Sequence, residues 1–151
     1  MNPELRELYQ QVILDHYKDP RNYKVMEHHS HHAEGHNPLC GDQVEIFLMV
    51  QDGIIQDISF QGNGCAISKS SASLMTAFVK GRTVEDVQRD FDRFHALVMG
   101  GEVTDHDREQ LGKLAVLEGV KEFPMRVKCA SLAWHTLIAA IKSESEKVIT
   151  E

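Results

Sequence analysis

Residues 43–65 read QVEIFLMVQDGIIQDISFQGNGC. Val44, Ile46, Leu48 and Val50 alternate with Gln43, Glu45, Phe47 and Met49, and a period of two marks a strand with one buried face. Asp52-Gly53 follows, two residues that tolerate the positive φ of a tight hairpin turn. IIQDISF then returns with Ile54, Ile58 and Phe60 on one face. The stretch is an antiparallel hairpin, and Gly62 and Gly64 break its second strand just ahead of Cys65.

The flanks read as helix. Upstream, Asn2 or Pro3 opens a helix whose Leu5, Leu8, Tyr9, Val12, Ile13 and Tyr17 recur at three and four, and Pro20 ends it. Residues 27–37 are polar without a helical stripe, a loop or an exposed edge strand. Downstream, a helix starts near Cys65, with small residues Ala66, Ser70, Ser73 and Ala77 on one face and Leu74, Phe78 and Val79 on another. Thr83 and Asp86 have the spacing of a capping box, and Gly100-Gly101 stops the helix they open. EVTDHDREQ is polar, LGKLAVLEGVKEF reads as short helical pieces, and a last helix spans about Arg126 to Lys142. The tail from Ser143 to Glu151 has little to bury and is expected to fray. With no repeat, linker or change of composition, residues 1–151 read as a single α+β domain.

The bulk properties exclude several classes. A chain of 151 residues is long enough to bury a core without staples. A net charge of −7 lacks the basic face that nucleic-acid binding needs. No apolar run approaches a membrane span and the N-terminus has no signal-peptide core, so no membrane partner and a cytoplasmic location are expected. In a reducing compartment three cysteines read as ligands or nucleophiles rather than disulfides.

Each cysteine falls at an element end. Cys40 lies in a Pro-Leu-Cys-Gly-Asp turn, Cys65 at a strand-to-helix junction, and Cys129 in the first turn expected of the last helix. A helix N-terminus favours thiolate at Cys65 and Cys129. The hairpin brings Cys40 alongside Cys65, and Asp42 shares the side of an extended chain that Cys40 occupies. Three sulfurs and a carboxylate at one point suit tetrahedral zinc or iron. The alternative for any lone cysteine is a small buried hydrophobe.

HNPLCGDQVEIFLMV, DGIIQDISFQGNGCAISKSSASLM and FPMRVKCASLAW together resemble the IscU / NifU N-terminal family of iron–sulfur cluster assembly proteins over nearly the whole chain. Lys128 stands where the IscU branch has a histidine, and a segment around Gly100 to Gly112 is additional, so the likeness is greatest to the SufU branch. The resemblance implies the SufE/NifU (IscU-like) fold, a small antiparallel three-stranded sheet packed against helices, its extra strand drawn from the residues before Cys40. It implies a site of Cys40, Asp42, Cys65 and Cys129 around zinc or, alternatively, iron or a [2Fe–2S] cluster. In the SufU branch the implied role is a zinc-dependent sulfurtransferase that accepts persulfide sulfur from a cysteine desulfurase and passes it to a downstream scaffold or apo-proteins. In the IscU branch it is a scaffold for the nascent cluster.

Cys40, on the turn, is the expected sulfur acceptor, since the attacking group is an accessible thiolate. Arg126 and Lys128 flank Cys129 and could stabilise a thiolate or persulfide by charge, or be solvated cations. No histidine has the surroundings of a Cys-His hydrolase, and a module with structural zinc is the other competing class. His28, His29, His31, His32 and His36 form a dense run that reads as polar cover of an edge strand, with weak metal capture by the first four as the alternative. His36 is the one spare ligand for the cysteine site. His16 and His95 read as surface or partly buried.

Overall fold

The structure, a computed structural model, describes residues 3–142 and 148–149. In chain order it holds α1 (Pro3–Lys18), β1 (His31–Asn37), β2 (Asp42–Gln51), β3 (Ile54–Asn63), α2 (Ala66–Val79), α3 (Val84–Met99), α4 (Asp105–Leu111), a 3-10 helix (Gly112–Glu122), α5 (Pro124–Ile141) and β4 (Val148–Ile149). β1, β2 and β3 form the antiparallel three-stranded sheet of an α+β fold, in the order β3-β2-β1-β4. β4 pairs in parallel with Gly35 and His36. Those two tail residues are thus a strand rather than frayed chain, while 143–147 and 150–151 lie outside the described residues.

The hairpin turns at Asp52 (φ 55°) and Gly53 (φ 74°), the double positive φ whose twist matches the flanking strands. The inner face of the sheet carries Val44, Ile46, Leu48, Ile58 and Phe60, all buried. Ile55, not Ile54, completes it: pairing shifts from Met49↔Asp57 to Val50↔Ile55. The bulge at Gln56 changes the phase of the strand by one residue. Against this face pack α2 and α5, and Trp134 of α5 stacks on Phe94 of α3 with ring centroids 5.2 Å apart. Among the described residues no helix is long and apolar enough to cross a membrane.

Two local expectations change. Thr83 caps α3 by accepting from the Asp86 N–H, but the Asp86 carboxylate pairs with Arg89 instead of closing the box. The reciprocal capping box forms at Thr104 and Asp107, in the stretch read only as polar. His16, expected near the surface, is buried, and its Nδ1 lies 2.7 Å from Ser73 Oγ on α2.

Residues 19–30 form a strap. Asn22 O accepts from the Phe60 N–H and Lys24 N–H donates to Phe60 O, which ties the strap to the outer edge of β3. The Ser30 N–H then donates to Leu48 O, and the chain enters β1. Because β2 lies between β3 and β1, the strap crosses the outer face of the sheet. His29 seats on Phe47 of that face, ring centroids 5.2 Å apart. This explains why Phe47 is buried although its strand pattern points it outward.

Candidate metal centre

Three elements deliver the site to one end of the sheet. The turn between β1 and β2 presents Cys40, and Asn37 shapes that turn. Its Oδ1 accepts from the Leu39 N–H at 3.2 Å, and its backbone carbonyl accepts from the Gly41 N–H at 2.9 Å. Asn37 was not singled out in the sequence. The signal was available, since Asn-Pro commonly opens a turn through the Asn side chain. Asp42, paired with Asn37, opens β2 on the inner face.

Cys65 is the N-cap of α2, its sulfur accepting from the Ser68 N–H at 3.4 Å. Cys129 comes from α5. That helix starts at Pro124, two residues earlier than expected, so Cys129 sits in the second turn rather than the first. Its backbone N–H is spent within the helix, and the thiolate-favouring helix end expected there is absent.

Asp42 is the hub. It is fully buried, its Oδ1 accepts from the Cys65 N–H at 3.0 Å, and its Oδ2 faces the sulfurs. Cys40 Sγ donates to Oδ2 at 3.1 Å, Cys65 Sγ lies 3.9 Å from the same oxygen, and Cys40 Sγ is 3.5 Å from Cys129 Sγ. Gly64 makes room for this carboxylate, since a Cβ there would lie 2.8 Å from Oδ1. Exposure is graded: Cys40 is exposed, Cys65 half-buried and Cys129 buried.

Burial pushes the Cys40 thiol up from its ordinary value, reinforced by its hydrogen bond to Asp42. Burial pushes Cys129 up much further, with Asp42, Cys40 and Cys65 adding to the effect. Soft donors clustered around a buried carboxylate hold protons in the absence of a cation, and a dication inverts that preference. The residues fit one. Zinc–sulfur bonds of about 2.3 Å set tetrahedral ligands roughly 3.5–3.8 Å apart, close to the spacings here. Cys40, Asp42 and Cys129 each offer an atom within 4.8 Å of the others, and Cys65 stands at the edge of that group.

The remaining expected residues fall elsewhere. Arg126 is exposed and Lys128 half-buried, and neither makes an ion pair or side-chain hydrogen bond among the described residues. Arg126, one helical turn before Cys129, shares its side of α5, whereas Lys128 points about 100° away. His36 pairs with Gln43 on the outer face, opposite to Asp42, so it is no spare ligand for the cysteine site.

Residues 8–130 match the model of the NifU-like N-terminal domain family. The chain belongs to that family. Among its members, SufU of Bacillus subtilis (strain 168), named a zinc-dependent sulfurtransferase, is 39% identical over 143 residues, covering 95% of each chain. The iron–sulfur cluster assembly scaffold protein IscU of Streptococcus pyogenes serotype M1 is 38% identical over 92% of this chain and 86% of its own. The SUF-system protein FiSufU of Fervidobacterium islandicum AW-1 superposes with a TM-score of 0.82 at 31% identity, over 90% of this chain and 98% of that one. The likeness to the SufU branch of the family, read from the sequence, agrees with these relatives.

Proposed function

We propose that this protein holds a zinc ion through Cys40, Asp42, Cys65 and Cys129 and accepts persulfide sulfur at Cys40 from a cysteine desulfurase. It then hands the sulfur to a scaffold or apo-protein of iron–sulfur cluster assembly, in the cytoplasm. The observation that carries this reading is the graded cluster: three sulfurs from three elements meet one buried carboxylate, and the cysteine on the turn is the exposed one. The naming of the Bacillus subtilis relative as a zinc-dependent sulfurtransferase supports it.

Bound zinc keeps the thiols deprotonated, guards them from oxidation and leaves them exchangeable. In the transfer, Cys40 Sγ attacks the outer sulfur of the desulfurase persulfide. A sulfur–sulfur bond forms at Cys40 while the desulfurase S–S bond breaks, and its electron pair leaves with the desulfurase cysteine as thiolate. There is no net oxidation. Asp42, a harder ligand than sulfur, makes the site easier to open. Leu39 beside Cys40, and Phe123 and Met125 at the start of α5, are exposed apolar side chains suited to a docked partner.

The test is desulfurase turnover, followed as alanine released, alongside metal analysis. Colourless protein with one zinc per chain that raises turnover, an effect lost in Cys40→Ala, is the expected result. If Cys40→Ala keeps both zinc and stimulation, the proposal fails. The similarity to the Streptococcus pyogenes scaffold favours a second reading, a carrier of a nascent [2Fe–2S] cluster. Anaerobic protein that is brown and absorbs in the visible, without stimulating the desulfurase, would establish that one instead.

A further inference from the structure

The histidine run takes on meaning on the outer face of the sheet. There the strands set His32, Phe47 and Ser59 in one row, and Glu34, Glu45 and Gln61 in the next. Glu34 and Glu45 are thus direct cross-strand neighbours of like charge, an arrangement that destabilises a sheet unless something offsets it. His32 Nε2 lies 2.7 Å from Glu45 Oε2. The other oxygen of Glu45 accepts from Gln61 Nε2 at 2.8 Å, which fixes the carboxylate plane. His32 is itself held by its ring, 5.0 Å from that of Phe47. One imidazole nitrogen and two carboxylate oxygens lie within 4.8 Å of one another.

The two carboxylates, Glu34 and Glu45, open onto a groove of about 370 Å³ whose lining also includes Tyr23, Gln43 and Gln61. The groove has room for solvent or a further ligand. Because Glu45 lies three residues along β2 from Asp42 and on the opposite face, the two clusters are separated by about 10 Å and by the sheet itself.

We propose that His32, Glu34 and Glu45 form a second metal site, for a divalent first-row transition-metal ion, independent of the cysteine site. Imidazole with carboxylates suits such ions, including zinc and ferrous iron, and three protein ligands leave coordination positions free toward the groove. Gln61 is the positioning residue, holding Glu45 as outer-sphere partners hold ligating carboxylates. The site draws one member of the histidine run into ligation and leaves His28 and His31 outside it.

The experiment starts from full-length protein whose cysteine site is filled with zinc, titrated with cobalt(II). A second equivalent is expected, with the weak d–d absorption of nitrogen and oxygen ligands and no thiolate-to-cobalt charge transfer. His32→Ala and Glu45→Gln should each weaken that equivalent by about tenfold or more, the scale of loss when a metal's ligation is disturbed. Glu34→Gln, at an exposed position where packing is not at stake, should do the same. The double variant His28→Ala/His31→Ala should bind as wild type does. The proposal is overturned if zinc-filled protein takes up no further cobalt. It is equally overturned if Glu34→Gln binds unchanged, or if the loss follows His28 and His31.

Discussion

Replacing Gly64 by alanine tests the seat of Asp42 without touching a ligand. The backbone at Gly64 is not left-handed, so alanine is conformationally tolerated. A Cβ there would lie 2.8 Å from Asp42 Oδ1 and 3.1 Å from both Cβ and Oγ of Ser68. Either the carboxylate moves, losing its 3.0 Å hydrogen bond from the Cys65 N–H, or the chain around Cys65 moves and takes the N-cap sulfur with it. Overpacking of this kind costs about 1–3 kcal/mol, while removing glycine from the unfolded chain returns about 0.4–1 kcal/mol. The net loss is roughly 0–2.6 kcal/mol, or up to about 10 °C in Tm for a chain of this size. Zinc affinity, which depends on the aim of the Asp42 carboxylate, should fall about 10- to 100-fold. Gly119→Ala is the control, since nothing lies within 4 Å of its Cβ. The assays are calorimetric melting of metal-free protein and competition with a zinc chelator. If Gly64→Ala binds zinc as wild type does and melts like Gly119→Ala, Gly64 does not shape the carboxylate seat and the geometry argued for Asp42 is wrong.

Two further outcomes follow from the same structure. Stripping zinc with a chelator should lower Tm: at a free-metal level 100 times Kd the ion adds about 2.7 kcal/mol, or roughly 5–11 °C, and an unmoved Tm after proven metal loss would show that the fold does not assemble the ligands. Acid should also destabilise the protein through two histidines: burial holds His16 below its ordinary value, with Arg21 adding to the effect, and burial then His95 do so for His135. The unfolded chain therefore binds more protons than the folded one below about pH 6.5, so stability rises with pH through that window and is lost as pH falls. Urea midpoints at mildly acidic and neutral pH should show this slope, and His135→Phe should flatten it.

The sheet was legible because alternation in β2 and the Asp-Gly turn are local signals, and the helices because their stripes and breakers are. What escaped was set by tertiary context. The bulge at Gln56 leaves no mark in composition, so Ile54 read as core where Ile55 is. Phe47 looked solvent-facing until the strap laid His29 across it, a contact between chain segments that periodicity cannot encode. The candidate site was largely legible in the sequence, since CGD, GNGC and KCASLAW carry the cysteines and the aspartate that the fold brings together. The depth of each cysteine was not legible. Pro124 opens α5 early and shifts Cys129 from a helix end into its second turn, so that an expected thiolate is a buried thiol whose pKa is pushed up by burial. His16 was misjudged for the same reason, because only the packing of α1 on α2 shows that Ser73 meets it.

Period two along β2 also sorts donors by chemistry. Asp42 faces the buried end of the sheet, where every neighbouring donor is sulfur, while Glu45 faces the outer groove, where the neighbours are imidazole and carboxylate. A slip of one residue would exchange the two faces, placing Gln43 against the cysteines. The strand is held in register close to the site, where Gly62 packs directly on the Gln43 carbonyl and no side chain could fit between them. The one irregularity is kept at the far end, between Met49 and Val50. Register in β2 thus determines which donors meet: it gathers thiols around Asp42 on the inner face and an imidazole with two carboxylates around Glu45 on the outer face.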